Sequence, residues 1–169
     1  RRGSDVKLVA LISHPFGADV PELKARACVR AVHDGAQEVE IAVDLSRFAS
    51  GDPNHVRDEL RLCAGAAREA AAETLVRGVI DTGAFDDRSL RLLARAVGAA
   101  EVDMLVTSSG FSPEPDGQLD IELMREELDV AIGVKAVRGV RGFDEVGSLL
   151  ASGASRVGAP SADVFGAGS

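Results

Sequence analysis

Hydrophobic residues along the chain fall into six short runs, each rich in valine, isoleucine, leucine or alanine. Most positions in each run are apolar, so a strand formed there would be apolar on both faces, as is typical of parallel strands covered by helices. The pattern therefore predicts six buried β-strands. They lie at about 7–13, 38–44, 75–81, 102–107, 131–136 and 155–159.

Five helical segments are predicted between these strands, at about 20–34, 54–73, 86–98, 119–128 and 142–152. The first has Pro21 near its start and Gly35 just beyond its end, both favourable positions for these residues. Its apolar residues Leu23, Ala27 and Ala31 recur at helical spacing. Alternation of strands and helices along the whole chain predicts a parallel α/β fold, either an open doubly wound sheet or a (β/α) barrel.

Polar or glycine-containing turns follow nearly every predicted strand. They lie at 13–17, 44, 81–83, 107–110, 135–139 and 158–161. An open sheet concentrates its function at one switch point, whereas a barrel gathers chemistry from the C-terminal ends of many strands. We therefore predict a single domain over residues 1–169 with a TIM-type (β/α) barrel architecture.

The predicted barrel is partial, because six βα units are two fewer than a closed eight-stranded barrel needs. A partial barrel has two unpaired strand edges, which proteins seldom leave exposed. We expect the first two strands to come from an upstream segment or from a complementing chain, and a homo-oligomer is also compatible with the open edges.

Composition narrows the function classes. The formal charge of −8, with only three lysines, argues against a nucleic-acid partner, because phosphate binding needs a concentrated basic surface. No apolar run reaches the length of a membrane span. Cys28 and Cys63 fall in helical segments and are expected to be reduced core residues, which favours a cytoplasmic location. The three histidines show no ligand spacing, so we expect no metal site.

Seven short motifs occur in an order that resembles the deoxyribose-phosphate aldolase family, class I aldolases with a (β/α) barrel. They are 15–17 (PFG), 35–40 (GAQEVE), 81–83 (DTG), 107–111 (TSSGF), 133–135 (GVK), 139–141 (GVR) and 153–158 (GASRVG). The resemblance covers most of the chain and implies that it corresponds to the later six strands of the family barrel.

The resemblance implies a mechanism in which a lysine amine forms a Schiff base with an aldehyde. In the family this lysine directly precedes the hydroxyl-rich turn, where this chain has Val106 before Thr107. A second family lysine, which lowers the pKa of the first by like-charge repulsion, corresponds to Lys135. Valine has no nucleophile, so the family reaction cannot use its usual residue here.

Other family positions are also changed. Glu40 replaces an aspartate that the resemblance assigns to proton relay, and its extra methylene shifts the proton-transfer distance by about 1 Å. Arg138 replaces the first glycine of a Gly-Gly turn expected to bind phosphate, and Pro160 replaces the first serine of a Ser-Ser pair. The resemblance implies a small carbonyl or phosphate ligand and no cofactor. The residues expected to bind it are Thr107, Ser108, Ser109, Gly110, Arg138, Gly139, Gly158 and Ser161.

Three functions stay open from the sequence. The chain could be a divergent carbon–carbon lyase in which Lys135 forms the Schiff base and Glu40 relays protons. It could be an inactive homologue that serves as a binding or structural subunit. It could also be a carbonyl dehydratase or isomerase with Glu40, Asp44 or Asp81 as base, since a barrel does not determine its chemistry.

Each candidate residue also has a purely structural interpretation. Lys135 could form a salt bridge to Glu40 and do nothing more. The hydroxyls at 107–109 could terminate their strand and bond within their own turn. Asp44 and Asp81 could be held by a helix N-terminus or by an arginine.

Overall fold

The computed structural model describes residues 5–111, 117–137, 140 and 142–159. Six parallel strands form one sheet, and each strand pairs with the next in chain order. They are β1 (Val9–Ile12), β2 (Glu38–Ala42), β3 (Leu75–Val79), β4 (Met104–Val106), β5 (Gly133–Val137) and β6 (Arg156–Gly158). This sequential parallel order is that of consecutive units of a (β/α) barrel, and it confirms the predicted partial barrel with six strands.

Six helices connect the strands in the described part of the chain. They are α1 (Pro21–His33), α2 (Leu45–Ala49), α3 (Pro53–Ala70), α4 (Asp87–Gly98), α5 (Gly117–Glu127) and α6 (Phe143–Ala151). Five match predicted segments, whereas α2 was not predicted. Its start is fixed by Asp44, whose side chain accepts hydrogen bonds from the backbone amides of Ser46 and Arg47. Asp44 thus has the helix-capping role considered for it.

The hydrophobic core lies between the sheet and the helices. Gly78 on β3 shows how closely they pack, because a Cβ there would lie 3.0 Å from Leu60 Cδ1 and 3.4 Å from Val97 Cγ1. These two residues belong to α3 and α4, so Gly78 faces the helical layer. Since successive side chains on a strand alternate between faces, the neighbouring Arg77 faces the opposite, inner side of the sheet.

The inner side contradicts the expectation that the strands are apolar on both faces. Charged side chains project from it on four of the six strands. They are tolerated because each is paired with an opposite charge, which offsets the cost of burial. The sequence did not predict these inner charges, because each strand was assigned from the apolar content of its whole run and single charged residues carried little weight.

The buried face of α1 also differs from the sequence expectation. Leu23 is 53% exposed and Ala27 is exposed, whereas Lys24 and Cys28 are fully buried. Lys24 Nζ donates to Glu59 Oε2 at 2.6 Å and to the Ala42 carbonyl at 2.9 Å. This pairing lets a lysine take a core position, so hydrophobicity alone gave the wrong face.

In the described ranges, no helix is both long enough and apolar enough to span a bilayer.

Candidate active site

Five charged side chains form a continuous network on the inner face of the sheet. Glu38 and Glu40 stand two residues apart on β2 and therefore project to the same side. Arg77 on β3, Lys135 on β5 and Arg156 on β6 bond to these two carboxylates. The network places a lysine amine and a carboxylate in contact inside the partial barrel, which is the arrangement that proton transfer requires.

Lys135 and Glu40 form the central contact. Lys135 Nζ donates to Glu40 Oε1 at 2.6 Å, with side chains 20% and 7% exposed. The two predicted catalytic residues are therefore brought together from strands separated by β3 and β4. The side chain of Lys135 is thus partly exposed, whereas that of Glu40 is buried.

Arg77 is the other cation bound to Glu40. Its Nη1 lies 2.5 Å from Glu40 Oε1, and its Nη2 bonds Glu38. Burial, helped by the positive charge of Arg156, lowers the pKa of Arg77 to about 10. The guanidinium therefore keeps its charge at neutral pH and holds both carboxylates in place. Its Nε has no hydrogen-bond partner within the described residues.

Arg156 completes the network at the β6 edge. Its Nη1 lies 3.2 Å and 3.0 Å from the two carboxylate oxygens of Glu38. Arg156 also stands beside Lys135 in the register of β5 and β6. Three cations thus surround two carboxylates.

Val106 lies next to Lys135 on the inner face. The two residues pair directly in the register of β4 and β5, so their side chains project to the same side. Val106 is 1% exposed and fills the position where the resemblance expects the Schiff-base lysine. The amine nearest this position in the register therefore belongs to the adjacent strand.

Hydroxyl groups at the end of β4 are bonded to both neighbouring strands. Thr107 Oγ1 accepts from the Val137 amide at 3.0 Å and donates to the Val137 carbonyl at 3.3 Å. Asp81 Oδ1 accepts from the Ser109 amide at 2.7 Å, and Asp81 Oδ2 accepts from Ser109 Oγ at 2.9 Å. Ser108 Oγ also bonds Asp81, at 3.4 Å.

These bonds extend the purely structural interpretation of the hydroxyl cluster. Two of them lie within the turn, because the Gly110 and Phe111 amides donate to Ser108 Oγ and Ser109 Oγ. The others fasten β4 to β3 and β5. Ser108 and Ser109 are 4% and 9% exposed, so any ligand contact must come from groups already bonded within the protein.

Gly158 lies beside the side chain of Lys135, where the absence of a Cβ leaves room for that side chain. A Cβ at this position would lie 3.4 Å from Lys135 Cε and 3.2 Å from Val137 Cγ2. Gly158 thus belongs to the surroundings of Lys135. Three other predicted binding residues, Arg138, Gly139 and Ser161, lie outside the described residues.

Sequence reasoning missed Glu38, Arg77 and Arg156 as parts of the site. The sequence contained a sign of them. Glu38 and Glu40 occupy every second position of a predicted strand, and Arg77 is a single charge within an apolar run. Charges at such positions must face either a partner or a cavity. No cluster of three or more histidine, cysteine, aspartate or glutamate side chains suited to a metal ion occurs in the ranges described above.

Six consecutive parallel strands joined by helices, with a lysine–carboxylate contact on the inner face, define a barrel protein of the (β/α) class. No protein-family model matches the chain. A deoxyribose-phosphate aldolase of Streptococcus gordonii is 33% identical over 159 residues, which are 94% of this chain and 70% of the relative. One from Bacillus licheniformis is 36% identical, covering 92% and 69%. The chain therefore belongs to the deoxyribose-phosphate aldolase family.

Solved structures agree with this fold. The aldolase QR15 superposes with a TM-score of 0.83 at 27% identity, over 92% of this chain and 68% of its own. The deoxyribose phosphate aldolase of Aeropyrum pernix gives a TM-score of 0.80 at 24% identity, over 91% and 64%. At 24% identity, the Aeropyrum pernix structure supports the fold and not the function. This chain covers about two thirds of the length of each of these two structures.

Proposed function

We propose that the chain is a divergent carbon–carbon lyase that acts on a small aldehyde or a sugar-phosphate-like carbonyl compound. Lys135 supplies the Schiff-base amine in place of the residue missing at Val106. The observation that carries this proposal is the 2.6 Å contact between Lys135 Nζ and Glu40 Oε1 beside that position. Of the three lysines, Lys24 is buried against α3 and Lys7 is exposed before β1, which leaves Lys135 inside the barrel.

The proposed chemistry needs a proton acceptor next to the amine. Glu40 takes the ammonium proton of Lys135, and the free amine attacks the carbonyl carbon to give a carbinolamine. Return of the proton to the carbinolamine oxygen releases water and leaves a protonated imine. That imine withdraws the electron pair of the cleaved carbon–carbon bond. Arg77 holds the Glu40 carboxylate in position throughout.

A second candidate is an inactive homologue that acts as a binding or structural subunit. Val106 favours it, because the residue that the family uses as nucleophile is absent. The bonded hydroxyls at the end of β4 also favour it, since their hydrogen bonds already serve the fold. In this case the Lys135–Glu40 contact is a salt bridge that fills an inherited pocket.

Borohydride trapping distinguishes the two candidates. The protein is incubated with acetaldehyde or deoxyribose 5-phosphate, reduced, and mapped by peptide mass spectrometry. The lyase proposal expects a saturable adduct on Lys135 that is lost in Lys135→Met and kept in Lys7→Met. A folded protein with no adduct at Lys135 would refute the lyase and favour the subunit.

We also propose that two further βα units cover the open edges of the sheet. They would come from a segment upstream of these 169 residues or from a complementing chain, with assembly into a homo-oligomer as a further route. Leu8 and Leu11 support this, because they are 46% and 53% exposed at the β1 edge. The Aeropyrum pernix relative is described as tetrameric. Light scattering after size exclusion tests the idea, and a stable monomer of this chain alone would contradict it. The expected cytoplasmic location stays a prediction.

A further inference from the structure

Two paired positions connect α1 and α3 on the outer layer, away from the inner charge network. The first is the Lys24–Glu59 ion pair at 2.6 Å, with both side chains fully buried. Cys28 lies four residues after Lys24, and Cys63 lies four residues after Glu59. Residues four apart share a helix face, so the next turn places the two cysteines opposite each other. Both are free thiols with no exposed surface.

The two thiols lie in the same hydrophobic core, on the buried faces of α1 and α3. The neighbouring Cys63 thiol is the main influence that lowers the pKa of the Cys28 thiol, with the Lys24 charge assisting and burial opposing. The Cys28 thiol and burial raise the pKa of Cys63. The positive charge of Lys24, one turn before Cys28, favours the thiolate form at either sulfur.

We propose that Cys28 and Cys63 are a redox pair which a small hydroperoxide converts, in the folded protein, to a disulfide joining α1 to α3. The Cys28 thiolate attacks the peroxide and becomes a sulfenic acid, releasing an alcohol, or water if the oxidant is hydrogen peroxide. The Cys63 sulfur then attacks the sulfenic sulfur and expels water. Two thiols lose two electrons and two hydrogens, and one O–O bond is reduced. This pair plays no part in the proposed lyase chemistry.

The location suggests what the crosslink would stabilise. Lys24 donates to the Ala42 carbonyl, and Glu59 Oε1 accepts from the Asp44 amide at 2.8 Å. Both helices therefore hold the C-terminal end of β2, the strand that carries Glu40. A disulfide one turn away would fix the two helices at this end of β2.

The test compares the effective concentration of the two thiols in the folded and unfolded chain. Disulfide content is measured by thiol titration in glutathione redox buffers, in native buffer and in concentrated urea. The chain has only two cysteines, so its sole intramolecular disulfide is the proposed one. We expect the native effective concentration to exceed that in urea by at least about tenfold, because the fold aligns the thiols. By linkage, the oxidised protein melts at a higher temperature than the reduced one.

A matched control moves one thiol off the shared face. The double variant Cys28→Ala with Ala27→Cys keeps two cysteines and nearly the same loop, but the new thiol is on the exposed side of α1. Its native effective concentration is expected to fall below its value in urea. The proposal would be overturned if wild-type protein gave a native value no higher than the urea value. It would also be overturned if hydrogen peroxide left both thiols reduced, or oxidised them separately, while the circular dichroism stayed native.

Discussion

Lys135 Nζ contacts Glu40 Oε1 at 2.6 Å across the inner face of the sheet, although the two residues are 95 positions apart in the chain. Glu40 receives a second cation, Arg77, on the same oxygen. Val106, beside Lys135 on the next strand, contributes no amine. The network therefore places a lysine beside a carboxylate, while Val106 occupies the position that the resemblance assigns to the Schiff-base lysine.

Restoring that amine tests whether the rest of the pocket is intact. We expect Val106→Lys to gain a Schiff-base adduct at the substituted position, because the new side chain would project beside Lys135 on the inner face. Borohydride trapping with peptide mapping measures it, and Val106→Met controls for side-chain length. No adduct at this position in a folded variant would mean that the surrounding site has lost its catalytic geometry.

Removing Arg77 is expected to destabilise the fold strongly. Arg77→Met leaves Glu38 and Glu40 side by side in a buried setting with one cation fewer, and breaking a buried charge network typically costs about 3–5 kcal/mol. Urea denaturation monitored by circular dichroism gives the change in the free energy of unfolding. Arg91→Met, in an ion pair at the surface, is the control and should have little effect. Equal effects of the two variants would refute the structural role assigned to Arg77.

Glu40→Gln separates charge from shape at the centre of the site. The amide keeps the size of the side chain but cannot take the proton of Lys135, so the rate of trapping at Lys135 is expected to fall by about 10²- to 10⁴-fold. The measurement is adduct formation against time at fixed aldehyde concentration. An unchanged rate in the folded variant would show that Glu40 is not the proton acceptor.

Asp81→Asn tests the attachment of β4 to β3. The carboxylate accepts from the Ser109 amide and from two serine hydroxyls, and loss of a buried acceptor typically costs about 1–3 kcal/mol. Urea denaturation again measures the change. Asp58→Asn on the exposed face of α3 is the matched control. A loss no larger than that of the control would contradict the fastening role.

The N-cap of α4 predicts a pH dependence. The hydrogen bond with Ser89 lowers the pKa of Asp86, so the folded state binds this proton less readily than the unfolded state. Its stabilising effect is therefore present above the unfolded pKa, about 3.9, and is lost as the pH falls through the lower folded value. The urea midpoint of wild type should therefore exceed that of Asp86→Ala at neutral pH, and this difference should shrink as the pH falls below about 3.9. Asp86→Asn is the control, because asparagine caps a helix well but does not titrate. Its urea midpoint should therefore exceed that of Asp86→Ala by the same amount at every pH. If this difference shrank at low pH as it does for wild type, the assignment to Asp86 would be wrong.

The sequence by itself determined the order of the six strands, five of the six helices and the parallel type of the sheet. Alternating apolar runs and helical segments predicted parallel βα units, and the polar turns after nearly every strand favoured a barrel over an open sheet. The position that the resemblance assigns to the Schiff-base lysine is likewise read from a local motif, in which Val106 precedes Thr107, and the functional consequence stays a prediction. Such features depend on neighbours in the chain.

Apart from the Lys135–Glu40 pair, which was considered from the sequence, tertiary structure decided which charges meet. Lys24 is buried on α1 because Glu59 lies opposite it, 35 positions away, and no pattern within the helix reveals that partner. Arg77 is likewise buried on the inner face because Glu38 and Glu40 of the neighbouring strand pair with it, 39 and 37 positions away in the chain. The cost of burying a charge depends on a partner that is distant in sequence, so only the folded chain determines whether that cost is met.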